Sequence, residues 1–184
     1  VTKLSRFYDP EEIRSCYAEI LEAYDEGILF SPDDYEKYAN FAVASPIKAM
    51  CLNIAHDCNL RCQYCFASTG DFGEGRKLMS YETGKKAVDF LLKNSGDRVN
   101  LEMDFFGGEP LMNFETVKKI VEYARSQEPV YNKKFRFTIT TNGMLLTDDK
   151  IDFINREMSN VVLSLDGRRE VNDHTRPPAN GAGR

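Results

Sequence analysis

The sequence has no apolar run that approaches the roughly 20 residues needed to cross a bilayer. Its first residues offer no secretory signal either, because Lys3, Arg6 and Asp9 interrupt any apolar stretch. Neither a membrane nor export is therefore expected. A basic excess is also missing: 24 Lys and Arg against 29 Asp and Glu leave a formal net charge of −5, which argues against a nucleic-acid partner held through its phosphates. Cysteine is scarce and odd in number, five in all, and three of the five fall within eight residues. That distribution excludes a disulfide framework and points to a metal site in a reducing, cytoplasmic setting.

At 184 residues the chain is long enough to bury roughly 70% of its unfolded surface. Its first forty residues read as helical. Asp9 is a capping residue, Pro10 suits the first helical position, and Glu11 and Glu12 suit the positive end of the helix dipole. Ile13, Cys16, Tyr17, Ile20, Leu21 and Tyr24 follow as one apolar stripe, ended by Gly27. Cys16, on that stripe, is expected in a core. A second, shorter helix is expected from Ser31 toward Tyr38.

From Lys48 the pattern alternates strand and helix. Strands are expected at 48–54, 100–106, 135–140 and 161–165, and helices at 81–93, 114–125 and 148–158. Ser80, Asn113 and Thr147 serve as start signals, and Gly96 and Pro129 as stops. This repetition predicts an α/β fold with a parallel sheet. Phe135, Phe137 and Ile139 alternate with Arg136, Thr138 and Thr140, while Leu101, Met103 and Phe105 alternate with Glu102 and Asp104. Leu163 and Leu165 flank Ser164 in the same way. One sheet face is then apolar and the other polar, which suits a curved, open sheet around a polar ligand better than a closed barrel packed with branched side chains. A sheet with one solvated face would alternate likewise. Cys51, mid-strand, is expected to be small and buried. His174 and the Arg168-Arg169 pair are expected in a solvated loop.

The cysteines lie in Cys58-Asn59-Leu60-Arg61-Cys62-Gln63-Tyr64-Cys65, at the C-terminal end of the first strand, where parallel α/β folds carry their chemistry. A zinc site would need a fourth ligand. His56 is adjacent, but no second cysteine pair exists as structural zinc sites usually require. Three thiolates around an iron–sulfur cube, one iron left open, use the loop as it stands.

Cys-x3-Cys-x2-Cys with an aromatic before the last cysteine resembles the radical S-adenosylmethionine (SAM) superfamily. Further likenesses follow in order: Gly107-Gly108-Glu109-Pro110, Thr141-Asn142-Gly143 and Ser164-Leu165-Asp166-Gly167, each at a strand's end. The resemblance implies a partial, open TIM-like (β/α) barrel of about four βα units, behind a short helical N-terminal segment. It implies a [4Fe–4S] cluster on Cys58, Cys62 and Cys65 whose open iron takes the amino and carboxylate groups of SAM, and cleavage of SAM to a 5′-deoxyadenosyl radical that abstracts hydrogen from substrate. Gly107 and Gly108 would let the backbone approach the methionine portion, and Glu109 would meet its amino group. Asn142 and Ser164 would serve the ribose or carboxylate, Arg176 the carboxylate, and Tyr64 and Phe66 the cluster and adenine. His56 is a candidate donor to a cluster sulfide.

The run 55–67, with Asp166-Gly167 and Asn172-Asp173-His174-Thr175-Arg176, resembles SPASM-type peptide maturases, and most of all the thioether-forming maturases of six-cysteine (SCIFF) peptides. A cysteine-rich precursor peptide and an electron donor such as ferredoxin or flavodoxin are the partners this implies. Residues 1–46 would be a linker or the end of a peptide-recognition module. Residues 47–184 would be the N-terminal part of the radical SAM core, truncated, since no cysteine follows Cys65 to hold auxiliary clusters. An anaerobic sulfatase-maturating enzyme and a non-catalytic electron-transfer or zinc module are the alternatives.

Overall fold

The alternation of apolar and polar residues is realised as one five-stranded sheet. The computed structural model describes residues 3–33, 35–38 and 45–181, in two compact units, Val1–Ser45 and Pro46–Arg184. In the first unit, α1 (Pro10–Asp25) begins as expected: the Asp9 carboxylate accepts the Glu11 N–H at 2.7 Å and Pro10 follows. None of its residues is buried. Cys16 is exposed, contrary to expectation, because its stripe meets no core within this unit. Residues 36–38 are helical, and Asp34 lies outside the described residues.

The second unit holds β1 (Ala49–His56), β2 (Lys77–Leu78), β3 (Asn100–Gly107), β4 (Lys134–Thr141) and β5 (Met158–Leu163), in the order β2-β1-β3-β4-β5. β1, β3, β4 and β5 run parallel, and the sheet stays open. β2, which the sequence pattern missed, is a two-residue antiparallel addition pairing Ala55 with Leu78 and His56 with Lys77. Helices α2 (Tyr81–Asn94), α3 (Phe114–Tyr131) and α4 (Asp148–Glu157) cross between the parallel strands. They cover the apolar face, where Leu101, Met103 and Phe105 of β3 and Phe135, Phe137 and Ile139 of β4 meet Val88, Leu91, Val117, Ile120, Val121, Phe153 and Ile154. A short α5 (Arg169–Thr175) follows β5, so Arg169 and His174 are helical rather than in a loop.

Several local expectations are corrected. Pro129 lies inside α3, two residues before its end, and does not stop it. The stop is Asn132, which takes a left-handed backbone at φ 53°. Ser80 caps α2 by accepting the Thr83 N–H, whereas Asn113 and Thr147 begin their helices without accepting one. Asn113 instead donates to the carbonyls of Ile54 and Met79, tying β1 to the segment before α2. β5 begins at Met158, directly after α4. As a sheet edge it leaves Leu163 60% and, just beyond it, Leu165 71% exposed. Cys51 is exposed as well, because it points to the polar face with Asn53.

Phe137 is the centre of the apolar layer. It is fully buried, stacks on Phe105 at 5.8 Å and Phe135 at 5.7 Å, and carries the Arg125 guanidinium at 4.8 Å. Phe137→Ala is expected to lower stability by about 3–5 kcal/mol, read from the midpoint of urea unfolding.

Candidate functional site

Gly107 and Gly108 end β3 where it meets β1. A Cβ on Gly107 would stand 2.4 Å from the Ala55 carbonyl oxygen, and φ there is +131°. A Cβ on Gly108 would stand 2.2 Å from the Asp57 carbonyl oxygen and 2.8 Å from that of Gly70. The two glycines are thus required by backbone packed against backbone. In this close contact the Gly108 N–H donates to Ala55 O and the Glu109 N–H to Asp57 O, both at 2.8 Å. The cysteine loop leaves β1 one residue later. Its first turn is wrapped by Arg61, whose Nη1 donates to the carbonyls of Cys58 and Leu60. The Asp57 carboxylate accepts the Cys58 N–H and pairs with Arg76.

Glu109 is wholly buried. Its carboxylate accepts from the Thr141 hydroxyl at 2.7 Å, the Leu111 N–H at 2.9 Å and the Asn142 N–H at 2.9 Å. Burial pushes its pKa up, and those three donors oppose the rise. Glu109, the residue expected at the SAM amino group, joins the turn after β3 to the end of β4 through these bonds.

Ten of the residues singled out from the sequence come together. Cys58, Cys62, Cys65, Tyr64, Phe66, Gly107, Gly108, Asn142, Ser164 and Arg176 line one cavity of about 150 Å³. Asn142, Ser164 and Arg176 also line an adjoining cavity of about 510 Å³. The Leu60 N–H points at Cys58 Sγ at 3.4 Å and the Asn142 amide at 3.8 Å, while that amide also donates to Asn59. Burial pushes the Cys58 thiol up. The Leu60 N–H opposes this, and Glu109, Cys62 and Cys65 add to it. Burial likewise raises Cys62, against the pull of Arg176. Phe66 is exposed and stacks on Phe106 at 6.1 Å. The His56 ring lies 4.8 Å from Phe72, and its buried Nδ1 has no hydrogen-bond partner.

One further carboxylate, at the turn after β5, gathers several of these residues. Asp166 accepts from the Tyr64 hydroxyl (2.6 and 2.8 Å), the Thr175 hydroxyl (2.6 Å) and Arg176 Nε (2.8 Å). These partners, Thr175 first, hold its pKa down to about 2. The segment beyond α5 then pairs with the cysteine loop. Arg61 N–H donates to Pro177 O, Gln63 N–H to Thr175 O and Ala179 N–H to Asn59 O, with a bridge between Leu60 and Pro178.

A family model described as the radical SAM superfamily matches residues 52–182. The chain belongs to that superfamily. An uncharacterized protein of Methanocaldococcus jannaschii is 35% identical over 135 residues, 73% of this chain and 44% of that protein. The Fe-coproporphyrin III synthase of Methanosarcina barkeri is 36% identical over 125 residues, 67% of this chain and 28% of the synthase. Among solved structures, native anSMEcpe with bound AdoMet and Cp18Cys peptide superposes with a TM-score of 0.63 at 26% identity, covering 75% of this chain and 36% of that one. The form with AdoMet alone gives 0.65. The chain thus spans less than half the length of these relatives. No helix among the described residues is long and apolar enough to cross a membrane.

Membership of the radical SAM superfamily implies SAM and a [4Fe–4S] cluster, and the residues present fit both. N–H donors aim at Cys58 Sγ, as ligating sulfurs require. The Cys58 and Cys62 thiols, raised by burial and by their neighbouring cysteines, would be relieved by a cationic iron core. Among the described residues no three His, Cys, Asp or Glu side chains are gathered as a metal-binding group.

Gly108→Ala forces backbone apart at the root of the loop and is expected to cost about 1–3 kcal/mol, with a matching fall in iron bound per chain. Glu109→Gln sets an amide donor against a backbone or hydroxyl donor and should cost about 1–3 kcal/mol, seen in thermal unfolding. For Asp166 the folded pKa lies below the unfolded value of about 3.9, so its stabilisation is complete above that value and is lost as pH falls toward about 2. Asp166→Asn should therefore flatten the acid-side slope of stability between about pH 4 and 2.

Proposed function

We propose that this chain is the SAM-cleaving portion of a radical enzyme that modifies a peptide, with thioether formation between a cysteine sulfur and a carbon of a cysteine-rich, ribosomally made precursor as the reaction. When bound, the cluster supplies the electron that splits SAM and releases the 5′-deoxyadenosyl radical. The chain's own part is to root the three thiols on a rigid strand end, turn N–H groups toward Cys58, and present Asn142, Ser164 and Arg176 to the methionine and ribose portions of SAM. The observation that carries the reading is the shared cavity: four strand-end motifs, spread over more than a hundred residues, contribute side by side to one pocket. The peptide substrate is supported by anSMEcpe, whose structures hold peptides beside AdoMet. The run 55–67 and the Asp166-Gly167 motif favour the thioether maturases.

Residues 47–184 are read as the N-terminal part of the core, and residues 1–46 as a linker or the end of a peptide-recognition module. Ferredoxin or flavodoxin is the proposed electron donor, in a reducing cytoplasm. Two other substrates have specific support. Formylglycine formation on a protein cysteine or serine is favoured by the anSMEcpe likeness, and a tetrapyrrole by the similarity to Fe-coproporphyrin III synthase.

Anaerobically reconstituted protein is expected to be brown, to show a reduced-cluster paramagnetic resonance signal that changes with SAM, and to yield 5′-deoxyadenosine with dithionite. A colourless protein with one zinc per chain would overturn the radical reading. With cysteine-rich precursor peptides, loss of two hydrogens per thioether is the expected mass change. Conversion of cysteine to an aldehyde, or turnover only with a tetrapyrrole, would move the assignment to the corresponding alternative.

A further inference from the structure

Arg176 is mostly buried, with 14% of its side chain exposed, yet it spends only Nε on a hydrogen bond, to Asp166 Oδ1. Its Nη1 and Nη2 donate to no described residue, while the side chain lines both the cysteine cavity and the larger cavity beside it. The guanidinium also lies 5.4 Å from the centre of the Tyr64 ring, so one face is held by an aromatic and one edge by a carboxylate. What remains is a fork of N–H donors with a fixed direction. Such a fork matches a carboxylate.

Asp166 makes that arrangement possible from three sides. Tyr64 belongs to the cysteine loop, between Cys62 and Cys65, and its hydroxyl reaches Asp166. Thr175 and Arg176 belong to the end of α5 and the segment after it. The Asp166 N–H in turn donates to Asn172 Oδ1. One carboxylate therefore joins the loop after β5, the cysteine loop and the 175–179 segment that pairs with it through Arg61, Gln63 and Ala179.

We infer that Asp166 is a positioning residue for SAM: by holding Arg176 through Nε alone and Tyr64 through its hydroxyl, it aims the free guanidinium fork at the SAM carboxylate and fastens the 175–179 segment to the cysteine loop. This rests on the reading that SAM binds in this cavity. Asp166 lines neither cavity. It acts through Arg176, so one carboxylate both sets the anion site and fastens the 175–179 segment beside it.

The test is a double-mutant cycle on SAM affinity in the reconstituted full chain, joined to amide hydrogen exchange on the cluster-free chain. Asp166→Ala should weaken SAM roughly tenfold, and Arg176→Ala likewise. The double variant should be no weaker than Arg176→Ala alone. Asp166→Asn keeps an oxygen for Arg176 Nε and should recover affinity to within about threefold of the parent. Iron content should stay near that of the parent in all of them. In the cluster-free chain, exchange at Arg61, Gln63 and Ala179 should quicken in Asp166→Ala and not in Asp166→Asn. Unchanged SAM affinity in Asp166→Ala overturns the inference, and so does the same loss with Arg176 already removed, since a purely structural role would be additive. If Asp166→Ala does not fold, Asp166→Ser withdraws the acceptor while keeping the loop polar, with the same outcomes expected. Failure of the parent chain itself to bind SAM would refute the SAM reading. The exchange arm would still decide whether Asp166 fastens the segment, unchanged protection in Asp166→Ala overturning it.

Discussion

Glu109 takes a carboxylate entirely out of water at the point where three parallel strands end. Its two oxygens collect Leu111, Thr141 and Asn142, while its own N–H goes to Asp57. A buried carboxylate is tolerable only when donors replace the water it has lost, and here those donors belong to the turn after β3 and the end of β4. The strand ends are consequently locked in relative height. Everything attached to them inherits that registration: the cysteine loop leaving β1, the Asn142 amide facing Cys58 and the backbone of Ser164, whose N–H donates to Thr141. The β1 register shift between Asn53 and Ala55 belongs to the same junction, since it lets Ile54 and Ala55 both be buried just before the loop departs.

Much of this was legible in the sequence where local rules decide. Alternation of apolar with polar residues sorts the two faces of β3 and β4. Caps at Asp9 and Ser80 start their helices, and the motifs at the strand ends fall beside one another because parallel strands must all end on one side. The unread parts depend on partners remote in the chain. Asp166-Gly167 has the composition of an ordinary turn, and nothing nearby signals that Tyr64, 102 residues earlier, will donate to that carboxylate. Asn113 has the right residue type for a cap, but its amide finds Ile54 and Met79 instead. Gly107 and Gly108 were legible as required glycines, although the backbone they clear space for is β1 and Asp57. Leu163 and Leu165 have core-like spacing, yet spacing carries no information on whether a strand has one neighbour or two.

The two faces of the sheet divide the labour. The helix-covered face supplies the apolar burial, concentrated on Phe105, Phe135 and Phe137, while the opposite face keeps Glu102, Asp104, Thr138 and Thr140 at partial exposure. Stability and chemistry therefore draw on alternate residues of the same strands. Substitutions on one face leave the other's side chains in place only as long as the backbone register holds.

The antiparallel pairing of the cysteine loop with the 175–179 segment bears on the order in which the protein takes shape. Gln63 meets His174 across 111 residues of chain, a separation that makes this among the most costly contacts to close in loop entropy. Stacking of the intervening strands and helices shortens the effective loop that this contact has to close. During synthesis the three cysteines emerge early and remain without this partner until β5 and α5 have followed. The three cysteines are thus made well before the segment that pairs with their loop.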